Sequence, residues 1–364
     1  MRGSYILLGI TSLVFICCSA DETMLDNSLS DIPYLPEAYN LQVPTHFPQM
    51  PIPTDNPLTV DGVRLGRHLF YDPILSQDST LSCASCHHQQ SAFTDNEMVS
   101  EGVDGTLGRR SSMSLIDIGF HTNGFFWDGR TLTLEEQAEI PVEDPVEMHE
   151  MWGNVEKKFQ RHKDYPILFR KAFGIEEKIE ITKELAVKAI AQFERTLVSS
   201  GTAKYDRVVA GTDVFTDEEL KGHNIFFDIE DDISRHAECG HCHNAPLFTI
   251  TTFANNGIDN VDEGNLLDKG LAEFTNVDFD NGKFKITTLR NIFNTAPYMH
   301  DGRFSTIDEV LDHYISGGHA SRNLDPVLRP LNIGEEDRAA LKAFIGTLQD
   351  EEVLNDLRYA SPFN

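Results

Sequence analysis

Leu81-Ser-Cys-Ala-Ser-Cys-His87 and Glu238-Cys-Gly-His-Cys-His243 are the two stretches on which the reading of this chain turns. Each is Cys-x-x-Cys-His. Two thiols at this spacing can each form a thioether to a vinyl group of a haem, and the histidine that follows then falls beneath the iron as proximal ligand. A lone Cys-x-x-Cys is more often a redox dithiol or half of a zinc site. Zinc pairs, however, usually sit closer together than Cys86 and Cys239, and a histidine follows both pairs although only 14 of 364 residues are histidine. Two c-type haems are therefore expected, attached through Cys83, Cys86, Cys239 and Cys242 and ligated by His87 and His243.

Arg2 is followed by a short apolar run from Tyr5 to Cys18, too short to span a bilayer comfortably and closed by small residues and Asp21-Glu22. It reads as an export signal over residues 1–20, which places the protein in the periplasm. Cys17 and Cys18 stand where a bacterial lipoprotein would be cleaved and acylated, giving a lipid anchor. Plain cleavage after Ala20 is the alternative. Of six cysteines, two belong to this segment and four to the haem motifs, so none is left for a structural disulfide. The net charge of −28, with 30 Lys and Arg against 58 Asp and Glu, argues against a nucleic-acid partner and would attract a basic one.

Between Asp31 and Pro57 lie seven of the sixteen prolines, so residues 21–57 read as an extended tether to the first domain. The stretch from Val63 to Ser76 predicts a short helix stopped by Pro73. A longer one begins at Thr182, with Leu185, Ala189, Phe193 and Leu197 on one face. Thr216-Asp-Glu-Glu219 and Thr306-Ile-Asp-Glu309 are capping boxes. In the helix after Thr306, Tyr314 shares a face with Ile307, Val310 and Leu311; a last helix after Gly334 buries Leu341, Phe344, Ile345 and Leu348. No alternating strand pattern recurs, so the class is mostly α, and the only internal repeat is the haem motif itself. The length suggests two domains, 58–200 and 201–350, each of cytochrome c type with one haem, and a tail, 351–364, that can pack on the first.

Taken together these residues resemble the bacterial dihaem cytochrome c peroxidase family, including its MauG-like branch. The resemblance runs from Val63 to the last helix through Leu69-Phe-Tyr-Asp-Pro-x-Leu-Ser76, both haem motifs, Phe126-Trp-Asp-Gly-Arg130, Pro141 to Met148, Leu289-Arg-Asn291 and Ala296-Pro-Tyr-Met-His-Asp-Gly302. It implies that the first haem is peroxidatic, that the second transfers electrons, and that Trp127 lies between them. Gln137 and Glu147, ten and twenty residues after Trp127, match the family's distal pair. Heterolysis of peroxide needs a group that takes a proton from one oxygen and delivers it to the leaving one, and Glu147 can do so if a dry pocket raises its pKa.

Two departures from the best-known members matter. Those have a histidine sixteen residues after the proximal one as sixth ligand of the first haem; here that position is Val103. His88, beside a proximal ligand, is badly placed, and His121 and His149 are the substitutes, so the first haem is expected to be five-coordinate, as in MauG-like proteins. On the second haem a methionine is replaced by Tyr314, as in the MauG-like branch, with Met299 the competing ligand but read as core. A phenolate stabilises oxidised iron where a thioether raises the potential. The resemblance also implies calcium between the haems, held by an asparagine side chain whose position here is Ser111 and by backbone carbonyls matching Thr295 and Pro297, although a serine hydroxyl is a poorer ligand than the family's asparagine.

Three functions follow: an exported peroxidase using hydrogen peroxide and electrons from a small donor protein such as cytochrome c; a MauG-like oxidase that modifies a partner protein; and a dihaem electron-transfer cytochrome without chemistry.

Overall fold

The computed structural model describes residues 27–229, 236–264 and 266–363; the expected signal, with Cys17, Cys18 and Ala20, lies outside them. Among the described residues helices make up nearly all the regular structure, and the one sheet pairs Phe253–Ala254 with Phe284–Lys285. The helical share of the described residues is nonetheless modest, 39%.

In the first half, the helix Val60–Tyr71, capped by the Thr59 side chain, crosses Lys183–Glu194. The crossing is close because Gly66 lies at it: a Cβ there would stand 1.8 Å from the carbonyl oxygen of Ala189. Lys183–Glu194 is buried on nearly every side, from Ala186 to Glu194, and so forms the centre of its half. The single apolar stripe expected for it understates this, since Val60–Tyr71, Leu134–Glu143 and Tyr165–Phe173 pack around it.

The second half repeats the arrangement. Asp217–Phe226 crosses Glu335–Gly346, and a Cβ on Gly222 would stand 1.9 Å from the carbonyl oxygen of Ala340. The expectation that only the haem motif repeats is thus corrected, and the signal was present in the sequence. Gly66-x-x-x-Phe70 answers Gly222-x-x-x-Phe226, and Ala189-x-x-x-Phe193-x-x-Thr196-Leu197 answers Ala340-x-x-x-Phe344-x-x-Thr347-Leu348. Thr196 and Thr347 even make the same 2.6 Å hydrogen bond to the carbonyls of Phe193 and Phe344. The two copies share too few identities for periodicity to betray them; the shared helix crossing exposes the register.

The proline-rich segment is extended, as its prolines require, but it is not a free tether. Leu29, Phe47 and Met50 are buried, and Leu29 pairs through its backbone with Glu176. His46 Nε2 lies 2.8 Å from Asp206 Oδ1, and Phe47 covers the Arg290 guanidinium at 4.7 Å. Its apolar residues find a surface to bury against, which proline content alone does not reveal. Arg290 and Asp206 form a bidentate pair with fully buried side chains. Removing either partner would strand a charge, at a cost of about 3–5 kcal/mol. At the other end, Val353, Leu354 and Tyr359 pack with Phe70 and Phe93 of the first half, and Gln89 Nε2 donates to the carbonyls of Val353 and Asp356.

Candidate active site

Each haem motif forms a single helical turn, Cys83–Cys86 and Cys239–Cys242, that brings both thiols to one side and leaves the histidine at its C-terminal end. His87 Nδ1 donates to the Phe93 carbonyl at 2.7 Å, and His243 Nδ1 to that of Phe248 at 3.1 Å. Both rings thereby keep the proton on Nδ1 and a lone pair on Nε2, the tautomer an iron requires. Phe93 and Phe248 both have positive φ, 61° and 53°, which turns their carbonyls to this task.

Cys83, Cys86 and His87 line a cavity of about 460 Å³, and Cys239, Cys242 and His243 one of about 210 Å³. The thiols, the histidine tautomers and the mostly apolar walls fit a c-type haem in each. Among the described residues, Trp127 is common to both walls. Its Nε1 donates to the Ser111 carbonyl at 2.9 Å, and its own carbonyl accepts from Lys285 N at 2.9 Å. The turn around it is set by Phe126 at φ 61° and Gly129 at φ 72°, with the Arg130 guanidinium 3.5 Å over the Phe126 ring. Asp128 holds Arg110, which also grips Asp268 with two 2.7 Å bonds, tying the two halves beside the tryptophan.

This turn has a counterpart. Phe126-Trp-Asp-Gly-Arg130 followed by the box Thr133 to Glu136 corresponds to Met299-His-Asp-Gly-Arg303 followed by the box Thr306 to Glu309, with both boxes formed. Trp127 therefore occupies the position of His300. The carbonyl of His300 accepts from Ser111 N at 2.8 Å, reciprocating the bond between Lys285 and Trp127.

Gln137, on the helix Leu134–Glu143, and Glu147, in the loop after it, both line the first cavity. That loop is fixed: Met148 is buried, and the Glu147 carbonyl accepts from Val103 N at 2.8 Å. The carboxyl opens onto the cavity but is otherwise enclosed by protein; this burial, with Asp144 adding and Arg130 opposing, pushes its pKa up to about 7. Val103 is held by that backbone bond and does not line the cavity. His121 and His149 do not line it either. His149 is at the surface with Asp104, 2.7 Å away, and His121 is buried outside both walls.

Tyr314 lines the second cavity, as the helix periodicity predicts. Met299, read as core, lines it too: its φ of 73° turns the backbone so that the side chain meets the cavity, which a residue count cannot foresee. Between them stands Asn256, a residue that no motif signals. Its Nδ2 lies 3.3 Å from Tyr314 Oη and 3.5 Å from Met299 Sδ. Burial pushes the Tyr314 phenol up to about 12, opposed by this hydrogen bond.

At the positions expected for calcium, the Ser111 hydroxyl donates to the Met299 carbonyl at 3.0 Å and that of Thr295 to the Ile292 carbonyl. No group of three His, Cys, Asp or Glu among the described residues is placed to hold a metal ion.

Residues 60–214 match the di-haem cytochrome c peroxidase family. The chain is 33% identical to the methylamine utilization protein MauG of Methylorubrum extorquens over 95% of its own length and 93% of that protein. It is 32% identical to the cytochrome-c peroxidase IdrP1 of Denitromonas iodatirespirans, over 85% of this chain and 86% of that one. Among solved structures, a MauG-like protein associated with microbial copper homeostasis superposes with a TM-score of 0.83 at 32% identity, covering 90% of this chain and all of that one.

Proposed function

Because the chain belongs to the di-haem cytochrome c peroxidase family of oxidoreductases, which includes MauG, we propose that it is an exported peroxidase reducing hydrogen peroxide to water with electrons from a small redox protein such as a cytochrome c. One observation carries the reading: Trp127 belongs to both cavity walls, while Glu147 and Gln137 stand in the first. The haems, once attached, supply the iron at which peroxide is reduced and the path by which electrons arrive.

The chain's own groups do the rest. A carboxyl poised near neutrality can accept a proton from peroxide and return it to the departing oxygen; Glu147, held there by burial, is that group. Gln137 offers an amide donor in the same wall to orient the peroxide. The indole of Trp127, fixed through Ser111 and Lys285, bridges the cavities without having to move. Export rests on residues 1–20. Among the described residues no helix is long and apolar enough to cross a membrane.

A second reading, a MauG-like oxidase acting on a partner protein, is favoured by Tyr314 in the second cavity with Asn256 at its oxygen. Mixing the holoprotein with peroxide and reduced cytochrome c separates the two: many turnovers support the peroxidase, and oxidation limited to stoichiometric amounts supports the second reading. A pure electron-transfer cytochrome would leave peroxide unconsumed.

A further inference from the structure

Glu194 lies at the end of the central helix Lys183–Glu194, is 4% exposed and lines the first haem cavity near Cys83, the cavity that Glu147 also lines. Its Oε2 is buried without a hydrogen-bond partner. The neighbouring Arg195 does not serve it as a counter-ion, because that guanidinium is held in a bidentate grip by Glu135, at 2.7 and 2.9 Å, and Glu135 also accepts from Asn56. A buried carboxyl with an unpaired oxygen is costly and calls for an explanation.

The internal repeat supplies a control. In the register fixed by Phe193 and Thr196 against Phe344 and Thr347, the residue matching Glu194 is Ile345, which lines the second cavity. The fold therefore tolerates an apolar side chain here, and the carboxyl is peculiar to the first haem.

We infer that Glu194 is a redox-linked proton carrier of the first haem. Its O–H bond breaks and the proton passes to solvent as an electron leaves that haem for an external acceptor; a proton returns from solvent as an electron returns. The physical reason is charge: a carboxylate near the iron compensates the positive charge gained on oxidation, whereas the neutral acid suits the reduced state. Burial pushes the group up to about 8, with Arg195 lowering it and Glu135 raising it, so it carries its proton at neutral pH until a nearby positive charge draws it off. The charged groups facing it are Arg195 on its own helix and Glu135 on the helix Leu134–Glu143; the Cys83 thiol beside it becomes a thioether once haem is attached.

This inference rests on the first cavity holding a haem but needs no peroxide turnover, so the two readings fail separately. Because Glu147 titrates in the same cavity, spectroelectrochemical titrations from pH 5 to 9 are made on holoprotein carrying Glu147→Gln, with and without Glu194→Gln. With Glu194 present, the first haem's potential should fall as pH rises, by up to about 59 mV for each tenfold drop in proton activity. Without it the slope should flatten, the second haem remaining unchanged. Glu194→Ile, which copies Ile345, should behave as Glu194→Gln does, and haem content by pyridine haemochrome checks each variant. A redox difference infrared spectrum should show a carboxylic C=O band that disappears with Glu194→Gln. An unaltered slope, or a band that survives both replacements, overturns the inference.

Discussion

The side-chain amide of Asn256 donates to the phenol oxygen of Tyr314 at 3.3 Å, inside the wall of the second haem cavity. A donor on that oxygen favours its anionic form, the form that would bind ferric iron with Tyr314 as the proposed ligand of the second haem. Replacing the phenolate and removing its donor should therefore move the second haem's potential in opposite directions. Tyr314→Met, offering a neutral thioether, should raise it. Asn256→Ala leaves the phenolate a stronger donor and should lower it. Spectroelectrochemistry of the two variants decides this, and shifts of the same sign would remove Tyr314 from the iron.

Glu147→Gln keeps the shape of the side chain and loses the proton transfer proposed for it. Peroxide turnover should drop roughly 10²-fold or more, the usual scale for a positioned acid–base group, with both haems retained. In the unmodified protein, the rate should climb with pH through about 7 as the carboxyl becomes ionised and able to accept a proton. Equal rates for variant and parent would return Glu147 to a structural role.

The same buried acids tie stability to pH. Glu147 and Glu194 hold protons in the folded protein up to about 7 and 8, whereas in the unfolded chain they release them near the ordinary 4.5. Folding thus takes up protons between these limits. The stabilisation is full below about 4.5 and is lost as pH rises through 7 and 8. Thermal unfolding of the holoprotein at pH 5 and pH 8 should differ more for the parent than for the double variant Glu147→Gln, Glu194→Gln; parallel changes would refute the linkage.

Glycine position tests the helix crossing. Gly66→Ala forces a methyl against the Ala189 carbonyl and should cost about 1–3 kcal/mol, or more if the helices separate. Gly153, exposed in the helix Trp152–Arg161, has nothing within 4 Å of such a methyl, so Gly153→Ala should stabilise by about 0.5–1 kcal/mol. Denaturant midpoints of the two variants provide the comparison.

No described histidine besides His87 lines the first cavity. The resting ferric protein should then contain one high-spin haem beside one low-spin haem and should react with peroxide without prior reduction. An electron paramagnetic resonance spectrum of two low-spin haems would mean that another side chain reaches the first iron.

The sequence by itself determined whatever depends on short-range chemistry. The two Cys-x-x-Cys-His turns, the capping boxes at Thr216 and Thr306 and the helical face carrying Tyr314 are local patterns, because thioether spacing, capping bonds and helix periodicity act within a few residues. Resemblance to the family, through their spacing from Trp127, singled out Gln137 and Glu147, which line the first cavity. Only the tertiary structure decided relationships between residues distant in the chain. It put Trp127 in both walls, brought Asn256 to Tyr314 and Met299, and buried the proline-rich segment through His46 and Phe47. It also gave meaning to Gly66 and Gly222, whose missing side chains matter only where another helix's backbone arrives. Glu194 belongs to this second group: in the sequence it is an ordinary glutamate before an arginine, and its burial follows from Glu135 having claimed that arginine and from the helix turning the carboxyl toward the cavity.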